Sequence, residues 1–287
     1  MRWGFSVLCL ALGAGLAHGQ PVGKTGPVSL LAAENVYGDL AQQIGGADVS
    51  VDSVLTNPDQ DPHLFEASPS VARKLAAARV VILNGLGYDP WMERLLAGAP
   101  IAGRVVLTAG VGQALGVNPH IWYDLDAMAA LARSVAAALS DADPPHRTGY
   151  EARLQEFLTS LGPIKARTAA LRLRLTHTPV AATEPVFGYA LEALGMEVRN
   201  ERFALAIMRD SEPAPSDVAA FENDLKQHRV RLLIHNSQTA GPVAARMERI
   251  ARAAHIPVVG VTETKPAGLH YQAWMMQTLD AVAHALP

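Results

Sequence analysis

Residues 146–175 read HRTGYEARLQEFLTSLGPIKARTAALRLRL, and this stretch decides how the chain is organised. Apolar residues recur in it at helical spacing amid Arg, Lys and Glu: Leu154, Phe157, Leu158, Leu161, Ile164 and Ala170. At about 1.5 Å per residue, one helix of this length would measure roughly 40 Å, about the length of a small domain. The pattern predicts a long helix. The alternative is two ordinary helices broken at Gly162-Pro163, because an internal proline costs about 3 kcal/mol.

On either side of this stretch, short runs of β-branched residues alternate with helical patterns. Strands are predicted at 28–33, 49–55, 80–84 and 105–108 before it, and at 179–182, 230–235 and 256–261 after it. Two such βα runs predict an α/β protein with two parallel-sheet lobes joined by one long spine helix. We place the N-terminal lobe at residues 20–142, the linking helix at 143–176 and the C-terminal lobe at 177–287.

Residues 1–19 are predicted to be a signal peptide. Arg2 gives a short positive region, an apolar run follows over residues 5–17, and Ala17-His18-Gly19 places small residues for cleavage before Gln20. The run is too short for a permanent membrane span. A buried N-terminal core helix is the alternative, but no polar residues mark one face of the run. We therefore expect an exported, periplasmic protein.

Composition excludes several classes of function. Cys9 is the only cysteine and lies inside the leader, so the mature chain has neither disulfides nor thiolate metal ligands. Without the leader, 23 basic residues face 27 acidic ones, a formal charge of −4. This balance argues against nucleic acid as a partner, because nucleic-acid binding calls for a basic stripe or patch. We expect the chain to act as a monomer.

Four side chains able to bind a metal follow predicted strands. Because ligands of open α/β sheets bind beyond the carboxyl ends of the strands, we searched these positions first. The metal-binding residue types found at these positions are His63, His120, Glu184 and Glu263. Two imidazoles and two carboxylates suit a divalent cation such as Zn²⁺, Mn²⁺ or Fe²⁺. Taken singly, however, a loop histidine is usually solvated and a carboxylate at a strand end often caps the next helix.

The motifs around these residues resemble the metal-specific solute-binding proteins of bacterial ABC transporters for zinc and manganese. The resemblance covers the whole mature chain and rests on a set of motifs in this order: Asp-Pro-His at 61–63, Asn-Pro-His-Ile-Trp at 118–122, the charged spine helix, Thr-Glu-Pro-Val-Phe-Gly-Tyr at 183–189, His-Asn-Ser-Gln-Thr at 235–239 and Thr-Glu-Thr at 262–264. It implies one metal ion held in the cleft between the lobes by His63, His120, Glu184 and Glu263, and a membrane permease as partner. It also implies that the chain is not an enzyme.

Two departures from the family pattern concern the metal. The third family ligand is histidine in typical zinc receptors and glutamate in typical manganese or iron receptors, and here it is Glu184. The fourth is commonly aspartate, and Glu263 is one methylene longer. A histidine-rich loop is also absent, since residues 111–117 contain no histidine. These features favour Mn²⁺ or Fe²⁺, although Zn²⁺ binds most nitrogen and oxygen sites more tightly than either.

Two other functions fit the architecture. A receptor for a small organic ligand would want a larger, aromatic-lined pocket. A metallohydrolase would keep three ligands, one bound water and a nearby general base, and no His-Glu-x-x-His motif is present. Around the site, His235, Asn236, Glu66, Tyr123 and Asp124 are candidates for orienting the ligands, with Asp124 alternatively a helix cap.

Overall fold

Two four-stranded parallel sheets form the framework of the protein in a computed structural model, which describes residues 26–58, 62–99, 103–112, 117–238 and 241–287. The predicted signal peptide falls outside the described residues. The first sheet has the order β2-β1-β3-β4. Its strands are β1 (Val28–Glu34), β2 (Val49–Leu55), β3 (Val80–Leu83) and β4 (Val105–Thr108). Its helices are α1 (Asn35–Gly45), α2 (Pro69–Ala77), α3 (Pro90–Ala97) and α4 (Leu125–Ala142).

The connecting segment consists of two helices that follow each other directly, α5 (Arg147–Ser160) and α6 (Gly162–Leu175). Only Leu161 separates them, and its backbone keeps right-handed helical angles. The interruption lies next to Pro163, whose ring nitrogen has no N–H to continue the hydrogen-bond ladder. Helix α5 packs on α1 and α4 of the first lobe, whereas α6 packs on α7 and α11 of the second. The long connection is therefore shared between the lobes.

The second sheet repeats the topology of the first, with the order β6-β5-β7-β8. Its strands are β5 (Pro179–Ala182), β6 (Glu197–Val198), β7 (Leu233–Asn236) and β8 (Val258–Val261). Its helices are α7 (Gly188–Ala193), α8 (Glu201–Met208), α9 (Pro215–Lys226), α10 (Pro242–Ala253) and α11 (Tyr271–Ala285). In each sheet the chain reverses its direction of travel between the two central strands, which is where open α/β sheets bind ligands.

One continuous apolar core runs through both lobes. It contains residues of the central strands of both sheets, such as Ala32 and Ala182, and of the linking helices, such as Phe157 and Ile164. Smaller clusters fill the outer face of each sheet. Because the core is shared, the two lobes are packed firmly against each other. None of the helices within the described residues has the length and apolar character needed to cross a membrane.

Candidate metal site

Three of the four predicted ligands converge between the lobes. His120 precedes a short 3-10 turn at Ile121–Tyr123, Glu184 follows β5 after one residue, and Glu263 follows β8 after one residue. One donor atom from each lies within 4.8 Å of the others. The three residues are between 0% and 2% exposed, so the site is closed to bulk water. The convergence follows from the topology, since both glutamates stand at the carboxyl edge of one parallel sheet.

His63 belongs to a short 3-10 turn, Pro62–Leu64, that comes after β2. The turn is held by Phe65, whose ring packs 4.7 Å from that of Trp91 on α3. The side chain of His63 lies outside the described part of the structure. Its membership of the ligand set therefore stays a prediction.

The ring of His120 is oriented by Asn118. Nδ1 lies 2.6 Å from Oδ1 of Asn118, while the amide nitrogen of Asn118 donates to the carbonyl of Pro185 in the second lobe at 2.6 Å. The amide oxygen must therefore accept, which places the proton of the neutral ring on Nδ1. Nε2 then presents its lone pair to the site, and it has no hydrogen-bond partner within the described residues. It lies 3.5 Å from Oε2 of Glu263.

The two glutamates are joined by the amide of Asn236, at the end of β7. Its Nδ2 donates to Oε2 of Glu184 at 2.7 Å and to Oε1 of Glu263 at 2.6 Å. The amide cannot be turned over, because its Oδ1 accepts from the backbone N–H of Gln238 at 3.1 Å. Two carboxylates facing a single site would repel each other. The shared donor reduces that repulsion and fixes both groups.

Tyr88, from the loop after β3, supplies a further contact. Its hydroxyl donates to Oε2 of Glu263 at 2.7 Å, which makes a direct bond from the first lobe to the second. The ring packs edge-on against His120 and Trp122. Burial, and then the charge of Glu263, raises the pKa of Tyr88 well above its usual range. The phenol therefore keeps its proton and remains a donor.

The loop that carries Glu263 is fastened to the first lobe at two further points. Tyr123 donates to the carbonyl of Thr262 at 2.8 Å, and the side chain of Asn35 bonds both the N–H and the carbonyl of Lys265 at 2.9 and 2.7 Å. Within the second lobe, the amide oxygen of Gln238 accepts from the backbone N–H of Glu263 at 2.6 Å. The loop is thus positioned by protein contacts alone, as a preorganised site requires.

Acidic residues also support the loop that carries Tyr88. Asp89 is fully buried and accepts from the backbone N–H groups of Asn84 at 2.7 Å and Gly85 at 2.8 Å. Burial raises the pKa of Asp89 to about 6, although these hydrogen bonds act in the opposite direction. Burial, followed by the charge of Asp89, raises the pKa of Glu34 well above its usual range. A protonated Glu34 carries no charge, which allows two acids to share one buried space.

The sequence-based candidates for orienting the ligands have different outcomes in the structure. Asn236 contacts both glutamates, and Asp124 caps α4 by accepting from Asp126 N and Ala127 N. His235 instead lies 3.5 Å from Glu248, away from the ligand atoms. Tyr88 and Gln238 were missed. Both lie just beyond strand ends, a position that could have found them, but neither residue type marks a metal site by itself.

Comparison with known proteins places these motifs in one family. The family model described as "ZnuA: Zinc-uptake complex component A periplasmic" matches residues 30–285. The metal ABC transporter substrate-binding lipoprotein FimA of Streptococcus parasanguinis is 24% identical over 94% of this chain and 93% of its own length. The iron-binding protein YfeA of Yersinia pestis is 23% identical over 82% of this chain and 78% of its own.

Solved structures share the fold. The periplasmic zinc-binding protein TroA from Treponema pallidum superposes with a TM-score of 0.77 at 20% identity, covering 91% of this chain and 99% of that one. At this identity the likeness establishes the two-lobed architecture with a long helical connection. The chemistry of the site has to be argued from the residues of this chain.

Proposed function

The chain belongs to the ZnuA family, the periplasmic component of zinc-uptake complexes, and we propose that it captures one divalent transition-metal ion between its lobes and delivers it to the membrane permease of an ABC transporter. The family is a transport component and not an enzyme, which removes the metallohydrolase alternative. The observation that carries the proposal is the meeting of His120, Glu184 and Glu263 in one buried site.

The donor set fits such an ion. The lone pair of His120 faces two carboxylates, so the described residues offer one nitrogen and at least two oxygens to a cation, together with two negative charges. Borderline cations, Zn²⁺ and Fe²⁺ among them, favour this mixture. We propose that His63 completes the set as a second nitrogen ligand, so that each lobe supplies two ligands. The ion would then bridge the lobes.

An organic ligand fits less well. Among the described residues, cavities of about 750, 520, 440 and 250 Å³ are lined by side chains other than those of His120, Glu184 and Glu263. A small-molecule receptor would place its polar recognition groups in the wall of such a cavity. The converging polar groups here instead bring three donor atoms within 4.8 Å of one another, a spacing that suits a single ion.

We propose that the leader is cleaved near Gly19 and that the mature protein acts in the periplasm as a monomer. We propose that the lobes extend over residues 20–142 and 177–287, with the linking segment at 143–176. The packing of α5 on the first lobe and α6 on the second supports the choice of this segment as the connection.

Metal analysis tests the function directly. The purified protein is stripped with chelator, dialysed against Zn²⁺, Mn²⁺ or Fe²⁺ and analysed for metal per chain. We expect about one ion per chain, and a large loss in His120→Ala. The matched control is His284→Ala, because His284 is exposed on α11 and remote from the site. Absence of retained metal in the wild type, or equal loss in both variants, would contradict the proposal.

A further inference from the structure

The amide of Asn236 occupies the space between two carboxylates that face one ion. Its Nδ2 engages Oε2 of Glu184 and Oε1 of Glu263, and its orientation is fixed by the N–H of Gln238. An N–H group repels a cation, so an ion cannot approach these two oxygens along the side that the amide covers. Asn236 is 1% exposed and lies on a strand, which leaves it little freedom to move away.

The remaining oxygen of Glu263 is restricted as well. Oε2 faces Nε2 of His120 at 3.5 Å and already accepts from the hydroxyl of Tyr88 at 2.7 Å. Each oxygen of Glu263 thus accepts a hydrogen bond from a buried donor, Oε1 from Asn236 and Oε2 from Tyr88. Tyr88 is buried against His120 and Trp122, with ring centroids 5.9 and 5.1 Å away. An ion that takes both oxygens of Glu263 has to bend or displace both of these hydrogen bonds, whereas an ion that takes Oε2 alone leaves the bond from Asn236 in place.

Resting on the proposed function, we propose that Asn236 and Tyr88 are specificity-determining residues, which hold Glu184 and Glu263 as single-oxygen ligands and thereby favour Zn²⁺ over Mn²⁺. Zn²⁺ is satisfied by four ligands in a tetrahedron. Mn²⁺ prefers six mainly oxygen ligands, which here would need both oxygens of a carboxylate or added water. The two donors oppose coordination by both oxygens of a carboxylate, and the burial of the three ligands opposes the entry of water.

The restriction of the carboxylate oxygens by Asn236 and Tyr88 acts against the preference for Mn²⁺ or Fe²⁺ that the ligand types indicate. A glutamate in the third position resembles the manganese and iron receptors, whereas the amide and the phenol limit how many oxygens that glutamate and its neighbour can provide. Residues that contact metal ligands change affinity by about 10–100-fold in known sites. A change of that size in one metal relative to another is enough to alter preference.

The test compares the ratio of the Mn²⁺ and Zn²⁺ dissociation constants in two variants, measured by competition with a chelator of known affinity. Asn236→Asp keeps the shape and removes the donor, and Tyr88→Phe removes the other donor without adding a ligand. We expect the Mn²⁺/Zn²⁺ ratio to fall by about tenfold or more in Asn236→Asp, and in the same direction in Tyr88→Phe. X-ray absorption should give four ligands around Zn²⁺ in the wild type and a higher number around Mn²⁺ in Asn236→Asp.

Each variant has a matched control. Asn223→Asp makes the same charge change at an exposed position on α9, and Tyr150→Phe removes a buried tyrosine hydroxyl on α5 that donates to Asp143 and not to any residue of the metal site. Both should leave the ratio unchanged. A shift in Asn236→Asp alone would mean that the new aspartate acts as an added ligand, and would overturn the inference. Unchanged ratios in both test variants would overturn it too. A wild type that retains no metal would instead contradict the proposed function.

Discussion

Replacement of Glu263 by glutamine separates the ligand role of this residue from its structural role. Glutamine keeps the shape of the side chain and removes the charge. Its oxygen can accept from Asn236, and its NH₂ group can donate to the hydroxyl of Tyr88 once that hydroxyl rotates. The repulsion with Glu184 is relieved at the same time. We therefore expect the metal-free variant to be within about 1 kcal/mol of the wild type.

The metal-bound state should respond much more strongly. An ion at a thousandfold excess over its dissociation constant stabilises the folded wild type by about 4 kcal/mol. Loss of a ligand should exceed the effect of losing a neighbouring group, so we expect at least about 100-fold weaker binding, or roughly 2.7 kcal/mol. At about 2–4 °C per kcal/mol for a chain of this size, the metal-induced rise in melting temperature falls from about 8–16 °C to about 3–6 °C or less.

Thermal melts with and without Zn²⁺ measure this difference. Glu212→Gln is the matched control, because it removes the same charge from an exposed residue in the segment between α8 and α9. It should gain as much from metal as the wild type does. If Glu263→Gln also gains as many degrees as the wild type, Glu263 is not a ligand and the reasoning fails at that residue.

The other predictions concern orientation, pH and the contact between the lobes. Asn118→Ala should weaken metal binding by about 10–100-fold, because the ring of His120 loses the group that holds it; calorimetric titration showing unchanged affinity would contradict this. For Asp89, a folded pKa of about 6 against an ordinary value of 3.8 means that the folded chain holds the proton more tightly, so stability is lost as pH rises from about 4 through 6. Asp89→Asn should reduce this pH-dependent loss of the free energy of unfolding by up to about 3 kcal/mol, measured in urea melts between pH 4 and 7. Parallel pH profiles of the wild type and the variant would show that Asp89 is not the group responsible. Tyr271→Phe removes a buried bond of 2.8 Å to the carbonyl of Trp122 and should cost about 1 kcal/mol in the same melts; no measurable change would mean that the bond contributes nothing net.

Periodicity predicted most of the framework. The β-branched runs and helical spacing placed the two parallel sheets, and α11 lies at the expected residues 271–285. Strand β6 has only two residues and α8 only eight, so neither gives a pattern long enough to stand out. Gly162-Pro163 indicated where the long connection is interrupted. Whether the interruption would bend or separate the helices depended on packing against both lobes, which spacing does not reveal.

The candidate site, like the fold, was predicted only in part. Parallel strands end at a common edge, so the positions of Glu184 and Glu263 after β5 and β8 indicated that they would meet. Contacts that depend on tertiary packing could not be predicted from the sequence. The bond from Tyr88 to Glu263 spans 175 residues of sequence and crosses between lobes. The orientation of the Asn236 amide is set by the N–H of Gln238, which no pattern of residue types encodes.

Crystals grown with Zn²⁺, with diffraction measured on both sides of the zinc absorption edge, show where the protein holds its metal. We predict one strong anomalous peak per chain, about 2.0–2.2 Å from Nε2 of His120 and from one carboxylate oxygen each of Glu184 and Glu263. The imidazole of His63 should supply the remaining ligand. A peak that lies elsewhere, or a site between these residues with no peak at saturating Zn²⁺, would contradict the claim that this buried cluster is where the protein holds its metal.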